Sequence, residues 1–218
     1  MTETHSDPVG APIGGEPETI FNSLAVAMLL TATGSFLDAF SYLDHGHVFA
    51  NVMTANLVLS AVSMAHGDWT RVARLLLPVT TYLAGALTGA MLKSRMQKRV
   101  TANQQAIAIG IGIALLIAIG SLPAGFSSAA IVSIISFGIA VKSCFFSHVE
   151  GWTYASTMPT GNLRQFGEAI FQSLFGVGSP KAKRQAAVFG LLSLSFFLGA
   201  LAGGVSTGIP VLQVRRWA

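Results

Sequence analysis

The sequence has little charge and almost no cysteine. Lysine, arginine, aspartate and glutamate together make up 10% of the 218 residues, whereas soluble domains carry roughly 25%. Cys144 is the one cysteine, so no disulfide can form within the chain. The net charge of +4 comes without a basic face or a groove-binding motif, which argues against nucleic-acid binding. These absences exclude a soluble, disulfide-stabilised or nucleic-acid-binding domain.

Motifs that mark common enzyme classes are also missing. The sequence has no Walker loop, dinucleotide fingerprint, zinc-protease helix or haem-attachment motif. Cys144 and His148 have the i, i+4 spacing that could activate a thiolate. No oxyanion site or third partner accompanies them. We therefore expect that the protein is not an enzyme and uses no cofactor.

What the sequence does contain is long apolar runs. Hydrophobic residues make up 52% of the chain, and a run of about 20 apolar residues crosses a bilayer core of about 30 Å. Seven runs qualify: 20–42, 49–65, 75–92, 106–122, 127–146, 154–177 and 186–209. We predict an all-α polytopic transmembrane helical bundle with about seven hydrophobic segments and six or seven spans, with the lipid bilayer as its surroundings.

One pattern occurs twice along the chain. The stretch DAFSYLDHGHVFANVMTANL at 38–57 returns as KSCFFSHVEGWTYASTMPTGNL at 142–163, and LAGALTG at 83–89 returns as FLGALAG at 197–203. We predict two three-segment repeats, 20–92 and 124–209, joined by a linker helix within 93–123. A disordered polar tail (1–19) and a short basic tail (210–218) flank this single domain.

Asp38 and Lys142 occupy equivalent positions in the two repeats and carry opposite charges. Each costs about 2.5–3.5 kcal/mol at the centre of a membrane helix. A gated ion pair or proton site between the halves would explain both residues. A static pair that locks the repeats together, or a Lys142 that extends to the interface, would also explain them.

Two polar segments interrupt the apolar runs. The first polar segment is residues 51–56 and the second is residues 156–162; their candidate binding residues are Asn51, Thr54, Asn56, Thr160 and Asn162. Such segments can unwind near the membrane midplane and expose backbone groups to a substrate or ion. Pro159 favours a helix break in the second. The alternative is helix packing without a ligand.

Arg164 and Glu168 stand at i and i+4 on one predicted helix. Arg164 directly follows the second polar segment and could attract an anionic substrate. A surface ion pair between the two side chains is the alternative.

A transition-metal site is a further alternative. His45 and His47, beside Asp44, follow the first helix, and His148 and Glu150 hold the equivalent place in the second repeat. These loops meet only if the repeats run parallel. Interfacial, solvated histidines are the default, so no metal is expected.

The number of spans decides the symmetry. Seven spans make the repeats parallel and place five cationic residues against six across the membrane, which gives no orientation. If the second and sixth runs dip in and return, the repeats are antiparallel and the split becomes seven against four, favouring a cytoplasmic N-terminus. We favour seven spans because the run 154–177 is long enough to cross.

The motifs GSFLDA at 34–39, HVFANVMTANL at 47–57 and TGNL at 160–163 resemble the YoaK-like family of bacterial membrane proteins (domain of unknown function 1275). The resemblance covers about 20–205 and implies a multi-spanning inner-membrane protein. Ala55 stands where the family usually has glycine, and Lys142 where it tends to have a polar amide. The resemblance implies no particular substrate.

Together these patterns favour a small transporter or channel for a small solute or ion. Its site would lie at the repeat interface and include Asp38, Lys142 and both polar segments. The alternative is an accessory membrane subunit that transports nothing and packs against a partner protein through Gly85-xxx-Gly89 and Gly199-xxx-Gly203. With few crossings per repeat, a homodimer is plausible.

Overall fold

The computed structural model describes residues 22–95, 102–121, 123, 126–154, 159–175 and 179–208. Within them the chain forms seven α-helices and one antiparallel two-stranded hairpin. The elements are α1 (Leu24–Asp44), α2 (Met53–Ala65), α3 (Trp69–Arg95), α4 (Ala102–Gly120), α5 (Ser128–Ser143), β1 (His148–Val149), β2 (Trp152–Thr153), α6 (Pro159–Phe175) and α7 (Pro180–Gly208). The predicted all-α class is confirmed, and each apolar run overlaps one helix. The two predicted tails and residues 156–158 lie outside the described residues.

Local sequence signals set several helix starts. The Asp68 carboxylate accepts the backbone N–H of Arg71 at 3.0 Å at the start of α3. Ser179 Oγ accepts the N–H of Ala182 at 3.2 Å at the start of α7, and Pro180 follows it. Pro159 is the first residue of α6, where its missing N–H has no helical partner to lose. The break predicted at Pro159 is therefore present.

The chain reverses direction through glycine soon after α1 and α5. Gly46 has φ 80° and Gly151 has φ 82°, a left-handed conformation that glycine adopts without steric cost. The two glycines are equivalent positions in the predicted repeats. The first reversal sends the following segment back along α1, and the second pairs β2 with β1.

Two glycine pairs bring helices into close contact. On α3, a Cβ added to Gly85 would lie 2.5 Å from the Phe137 carbonyl oxygen, and one added to Gly89 would lie 2.7 Å from Cys144 Sγ. The order of these contacts makes α3 parallel to α5. On α7, the same test brings Gly199 against Ala32 and Ser35, and Gly203 against Phe36 and Ala39, so α7 is parallel to α1. The interpretation that these glycines face a partner protein is wrong, because both pairs are covered within the chain.

Helix α1 runs antiparallel to α5. His45, just after α1, has its Nδ1 3.1 Å from the hydroxyl of Ser128 at the start of α5. Toward the other ends of the two helices, Leu30 shares a buried cluster with Val141. The pairs α1–α7 and α3–α5 therefore point in opposite directions.

Three of the helices in the described residues are long and apolar enough to span a membrane: α1, α3 and α7. Helix α2 has 13 residues, α5 has 16 and α6 has 17, which correspond to about 20, 24 and 26 Å, less than the bilayer core. Our preference for seven spans depended on a crossing helix over 154–177. Tyr154 instead follows β2, and α6 begins five residues later. The antiparallel α1 and α5 also contradict parallel repeats.

Candidate functional site

Residues 49–52 run back along α1 toward its middle. The Phe49 ring stacks on Tyr42 at 4.7 Å between ring centroids. One step further, Ser41 Oγ accepts the N–H of Ala50 at 3.0 Å. The segment reaches Asp38, six residues before the end of α1, which is a return of about 9 Å along the helix. Helix α2 begins directly afterwards.

Asp38 holds the deepest part of this returning segment. Its side chain is buried, with 4% of the residue exposed. Its Oδ1 accepts the N–H groups of Asn51 at 2.8 Å and Val52 at 3.2 Å, both charge-assisted when the carboxylate is ionised. The other oxygen, Oδ2, is buried and has no hydrogen-bond partner among the described residues. Oδ1 therefore holds the returning segment in place, and Oδ2 is available to bind another group.

Side chains from two other helices fix the same segment. Asn56 on α2 accepts the Phe49 N–H at 3.0 Å and donates Nδ2 to the Phe49 carbonyl at 2.7 Å. Ser136 on α5 donates its hydroxyl to the Ala50 carbonyl at 2.7 Å. The Asn56 amide is thereby committed to the backbone, so its main part in the site is to hold the segment.

Asn51 is the second available group. The residue is 3% exposed and its side-chain amide lies beside the Asp38 carboxylate, but neither Oδ1 nor Nδ2 makes a well-formed hydrogen bond to a described residue. An unsatisfied buried polar group costs about 1–3 kcal/mol, and such groups are rare enough to need an explanation. A proton on Asp38, an ordered water or a small cation would each satisfy them. Carboxylate and amide oxygens are ligands that suit hard cations.

A polar face of α1 leads to this site. Thr31, Ser35, Asp38 and Ser41 are all buried and follow one another at intervals of three or four residues. Thr31 Oγ1 also lacks a partner within the described chain, whereas Ser35 Oγ donates to the Ala32 carbonyl at 3.0 Å. The sequence reasoning missed Thr31, Ser41 and Ser136. The helical spacing of hydroxyl residues around Asp38 was the signal for the first two.

Asp38 and Lys142 form no ion pair in the described structure. Asp38 binds backbone N–H groups, while Lys142, in the last turn of α5, lines a cavity of about 250 Å³ beside the first half of α1. The predicted pair is wrong because antiparallel helices place equivalent residues at different depths. The cost of the two charges is not shared between them.

The other predicted binding residues are spread over the surface and interior. Thr54 and Thr160 are exposed, at the starts of α2 and α6. Asn162 is buried, with 1% exposed. Arg164 and Glu168 form the ion pair that their spacing allows, at 2.6 Å on the exposed face of α6. The four exposed residues, Thr54, Thr160, Arg164 and Glu168, make no hydrogen bond with the Asp38 carboxylate.

The proposed metal ligands lie at opposite ends of the bundle. His45 contacts Ser128 near the start of α5, and the His47 ring packs edge-on against Tyr42. His148 and Glu150 follow the end of α5, and Glu150 forms an ion pair with Arg184 at 2.5 Å. No group of three ligating side chains occurs within the described residues. The residues present do not fit a shared metal centre.

An all-α bundle with three membrane-length apolar helices is the architecture of a helical membrane protein. The chain belongs to the family described as protein of unknown function DUF1275, which it matches over residues 26–214. The resemblance drawn from the sequence is thus confirmed at the level of the family. No curated protein and no solved structure matches the chain.

Proposed function

We propose that this protein is a small multi-pass transporter or channel of the bacterial inner membrane, with a site for a proton or small cation at Asp38 and Asn51. The observation that carries the proposal is the set of buried, unpartnered atoms: Asp38 Oδ2 and both ends of the Asn51 amide. They lie where a non-helical segment turns back inside the bundle. Non-helical backbone at membrane depth is tolerated where it is enclosed by protein or lines a cavity.

The opposite directions of two helix pairs support the same proposal. Helix α1 of the first predicted repeat packs on the glycine pair of α7 in the second, and α5 of the second packs on the glycine pair of α3 in the first. The α1–α7 pair and the α5–α3 pair run in opposite directions. Many secondary transporters are built from inverted repeats with discontinuous helices at their centre. In this arrangement α1, α3, α4 and α7 cross the membrane, and α5 crosses beside α3 although it has only 16 residues. Helices α2 and α6 return to the side they came from.

The cationic residues support an orientation. In the proposed topology the C-terminal end of α3 and the start of α7 lie on the same side of the membrane. This side holds five described cationic residues: Lys93, Arg95, Lys181, Lys183 and Arg184. The opposite face holds Arg71 and Arg74. Cytoplasmic loops carry the excess of lysine and arginine, so we place the beginning of α1 on the cytoplasmic side.

Asp38 also offers a coupling mechanism. The carboxylate accepts two N–H groups of the returning segment through Oδ1, and it would bind a proton or cation through Oδ2. Neutralising the carboxylate weakens the charge-assisted bonds that hold residues 51 and 52. Occupancy of the site would therefore loosen the segment and permit the rearrangement that transport requires. No enzymatic step and no cofactor is part of this proposal.

Ion flux into liposomes with Asp38→Asn tests this proposal. Asparagine still offers Oδ1 to the Asn51 and Val52 N–H groups, so it retains both hydrogen bonds at the strength of a neutral acceptor while it removes the ionisable oxygen. The purified protein is reconstituted in vesicles containing a pH-sensitive dye, and proton, sodium and potassium gradients are imposed in turn. We expect the wild type to carry one of these ions, and both Asp38→Asn and Asn51→Ala to abolish that flux.

Matched controls separate the site from general damage. Asp68→Asn removes an exposed carboxylate, and Thr54→Ala changes an exposed side chain near the site; both should retain wild-type flux. Thermal unfolding in detergent confirms that each variant is folded. Undiminished flux in folded Asp38→Asn, or no flux of any tested ion in the wild type, would overturn the assignment.

The accessory-subunit alternative gains no specific support from the geometry. Its predicted contact surfaces, the two glycine pairs, are occupied by α5 and α1 within the chain. Isolation of the native protein with one stoichiometric partner, together with inactive liposomes, would favour it.

A further inference from the structure

A second feature, away from the Asp38 site, is an apolar groove between α1, α4 and α5. It encloses about 250 Å³, and its walls are aliphatic side chains that include Leu30, Leu37, Ile109, Ile113, Ile135 and Ile139. Among the described residues, two that line the groove are polar, Thr33 and Lys142. The Thr33 hydroxyl is already bonded to the Leu29 carbonyl at 2.8 Å. Lys142 is thus the polar group left to interact with whatever fills the groove.

Lys142 lies at one end of the groove. It shares the lining with Val26 and Leu29 from the first half of α1, whereas Leu37 and Ile135 mark the opposite, deeper end. From Val26 to Leu37 the groove follows α1 over about 16 Å. The Lys142 end faces the side of the bundle where α1 begins, the proposed cytoplasmic side. An amphiphile entering with its head at Lys142 would direct its tail toward the membrane interior.

Lys142 has no counter-charge among the described residues. It makes no hydrogen bond or ion pair with any described residue, and the residue is only partly exposed. A lysine in apolar surroundings is expensive unless it is paired or reaches water. An anion bound beside the ammonium would supply the missing charge, while the aliphatic walls would exclude small hydrated anions.

We propose that this groove binds a single-chain fatty-acid-type amphiphile, with its carboxylate on Lys142 and its acyl chain along α1, α4 and α5. A cavity of about 250 Å³ is below the roughly 300–1,000 Å³ of pockets for drug-sized ligands, which favours one chain over two. One ammonium matches a singly charged carboxylate. Phosphate groups are more often held by several donors or by a bidentate arginine.

Glycines on α4 provide a matched test of the groove. Gly112 lines the groove and Gly110 does not, and a Cβ at either position would meet no atom within 4 Å. Gly112→Leu should fill the cavity without disturbing helix contacts, and Gly110→Leu makes the same chemical change on the same helix outside the groove. Lys142→Met removes the charge and keeps the aliphatic length, with Lys93→Met as the control for loss of a lysine.

The experiment is equilibrium binding of tritium-labelled laurate to the full chain in phosphatidylcholine nanodiscs. We expect saturable binding of one laurate per chain to the wild type, Gly110→Leu and Lys93→Met, and loss of that binding in Gly112→Leu and Lys142→Met. Lauryl alcohol, which lacks the charge, should compete poorly, and so should two-chain phosphatidylglycerol.

Three results would overturn the proposal: no saturable laurate binding to the wild type, unchanged binding in folded Lys142→Met, or equally effective competition by phosphatidylglycerol. The last would identify the occupant as an ordinary two-chain membrane lipid. Because Lys142→Met leaves the cavity walls intact, the proposal stays testable even if Gly112→Leu fails to fold. Ion flux through the Asp38 site does not enter this readout.

Discussion

Asn56 uses both ends of its side-chain amide on one backbone residue. It accepts the N–H and donates to the carbonyl of Phe49, at 3.0 and 2.7 Å, and it is fully buried. This pair of bonds replaces the secondary structure that the returning segment lacks. Backbone groups buried without a partner are costly, so the segment can lie inside the bundle only because the Asn56 amide satisfies the backbone of Phe49.

Asn56→Ala should therefore destabilise the protein by about 2–6 kcal/mol, because it leaves the N–H and the carbonyl of Phe49 unpaired at about 1–3 kcal/mol each. Thr54→Ala, at an exposed position one half-turn away, should change the free energy of unfolding by less than about 0.5 kcal/mol. Unfolding by sodium dodecyl sulfate in mixed micelles measures both. Equal stabilities would show that the amide does not hold the segment.

The sequence predicted which residues are special at this scale better than it predicted their partners. Asp38, Asn51 and Asn56 were singled out as polar groups in apolar runs, and all three are buried. Their hydrogen bonds to backbone N–H groups were not foreseen, since residue types alone do not show where a non-helical segment runs. The Asp38–Lys142 pair failed because equivalence between repeats does not make two residues neighbours.

At the scale of elements, the glycine pairs set how closely the long helices approach. Gly199 faces the backbone of α1 at Ala32, and Gly203 faces it at Phe36. Small residues allow such approach between membrane helices, where packing rather than water exclusion drives association. The adjacent Gly204 has no neighbour within 4 Å of an added Cβ. The three glycines therefore differ in what a methyl group would meet.

Gly199→Ala should destabilise the protein by about 1–3 kcal/mol, the usual cost of overpacking a close contact. Gly204→Ala should be neutral or slightly stabilising, because alanine is the better helix former. Thermal unfolding monitored by circular dichroism in the same detergent compares the two variants. A larger loss in Gly204→Ala than in Gly199→Ala would contradict the packing of α7 on α1.

The apolar runs in the sequence predicted the number and approximate positions of the helices, but not the residues at which each helix begins and ends. The sixth run was extended back to Tyr154 because the residues before Pro159 include apolar side chains. In the structure Trp152 of β2 and Tyr154, which follows β2, instead pack in a buried cluster with Phe189 and Leu192 of α7. Hydrophobicity reports burial in either protein or lipid, so it could not distinguish this packed hairpin from the start of a membrane helix.

At the scale of the whole molecule, the order of contacts along the helices favours an inverted arrangement of the two predicted repeats. The three residues 66–68 connect α2 to α3, a linker length typical of antiparallel helix hairpins, and α2 packs on α3. Helix α2 therefore returns to the side where α1 ends. The equivalent hairpin of α6 and α7 returns to the opposite side, because α5 is antiparallel to α1. The sequence pattern could not show whether the predicted repeats are parallel or antiparallel, because the same pattern is compatible with both arrangements.

Side-specific cysteine labelling tests this arrangement most directly. The background is Cys144→Ser, which retains a small polar side chain at that position. His66→Cys then places a single exposed thiol in the loop between α2 and α3, and Lys181→Cys places one in the first turn of α7. A membrane-impermeant maleimide is applied to intact cells and to inverted membranes. The inverted arrangement predicts that His66→Cys is labelled only from outside the cell and Lys181→Cys only from the cytoplasmic side. Labelling of both variants from one side would mean parallel repeats and would contradict the account.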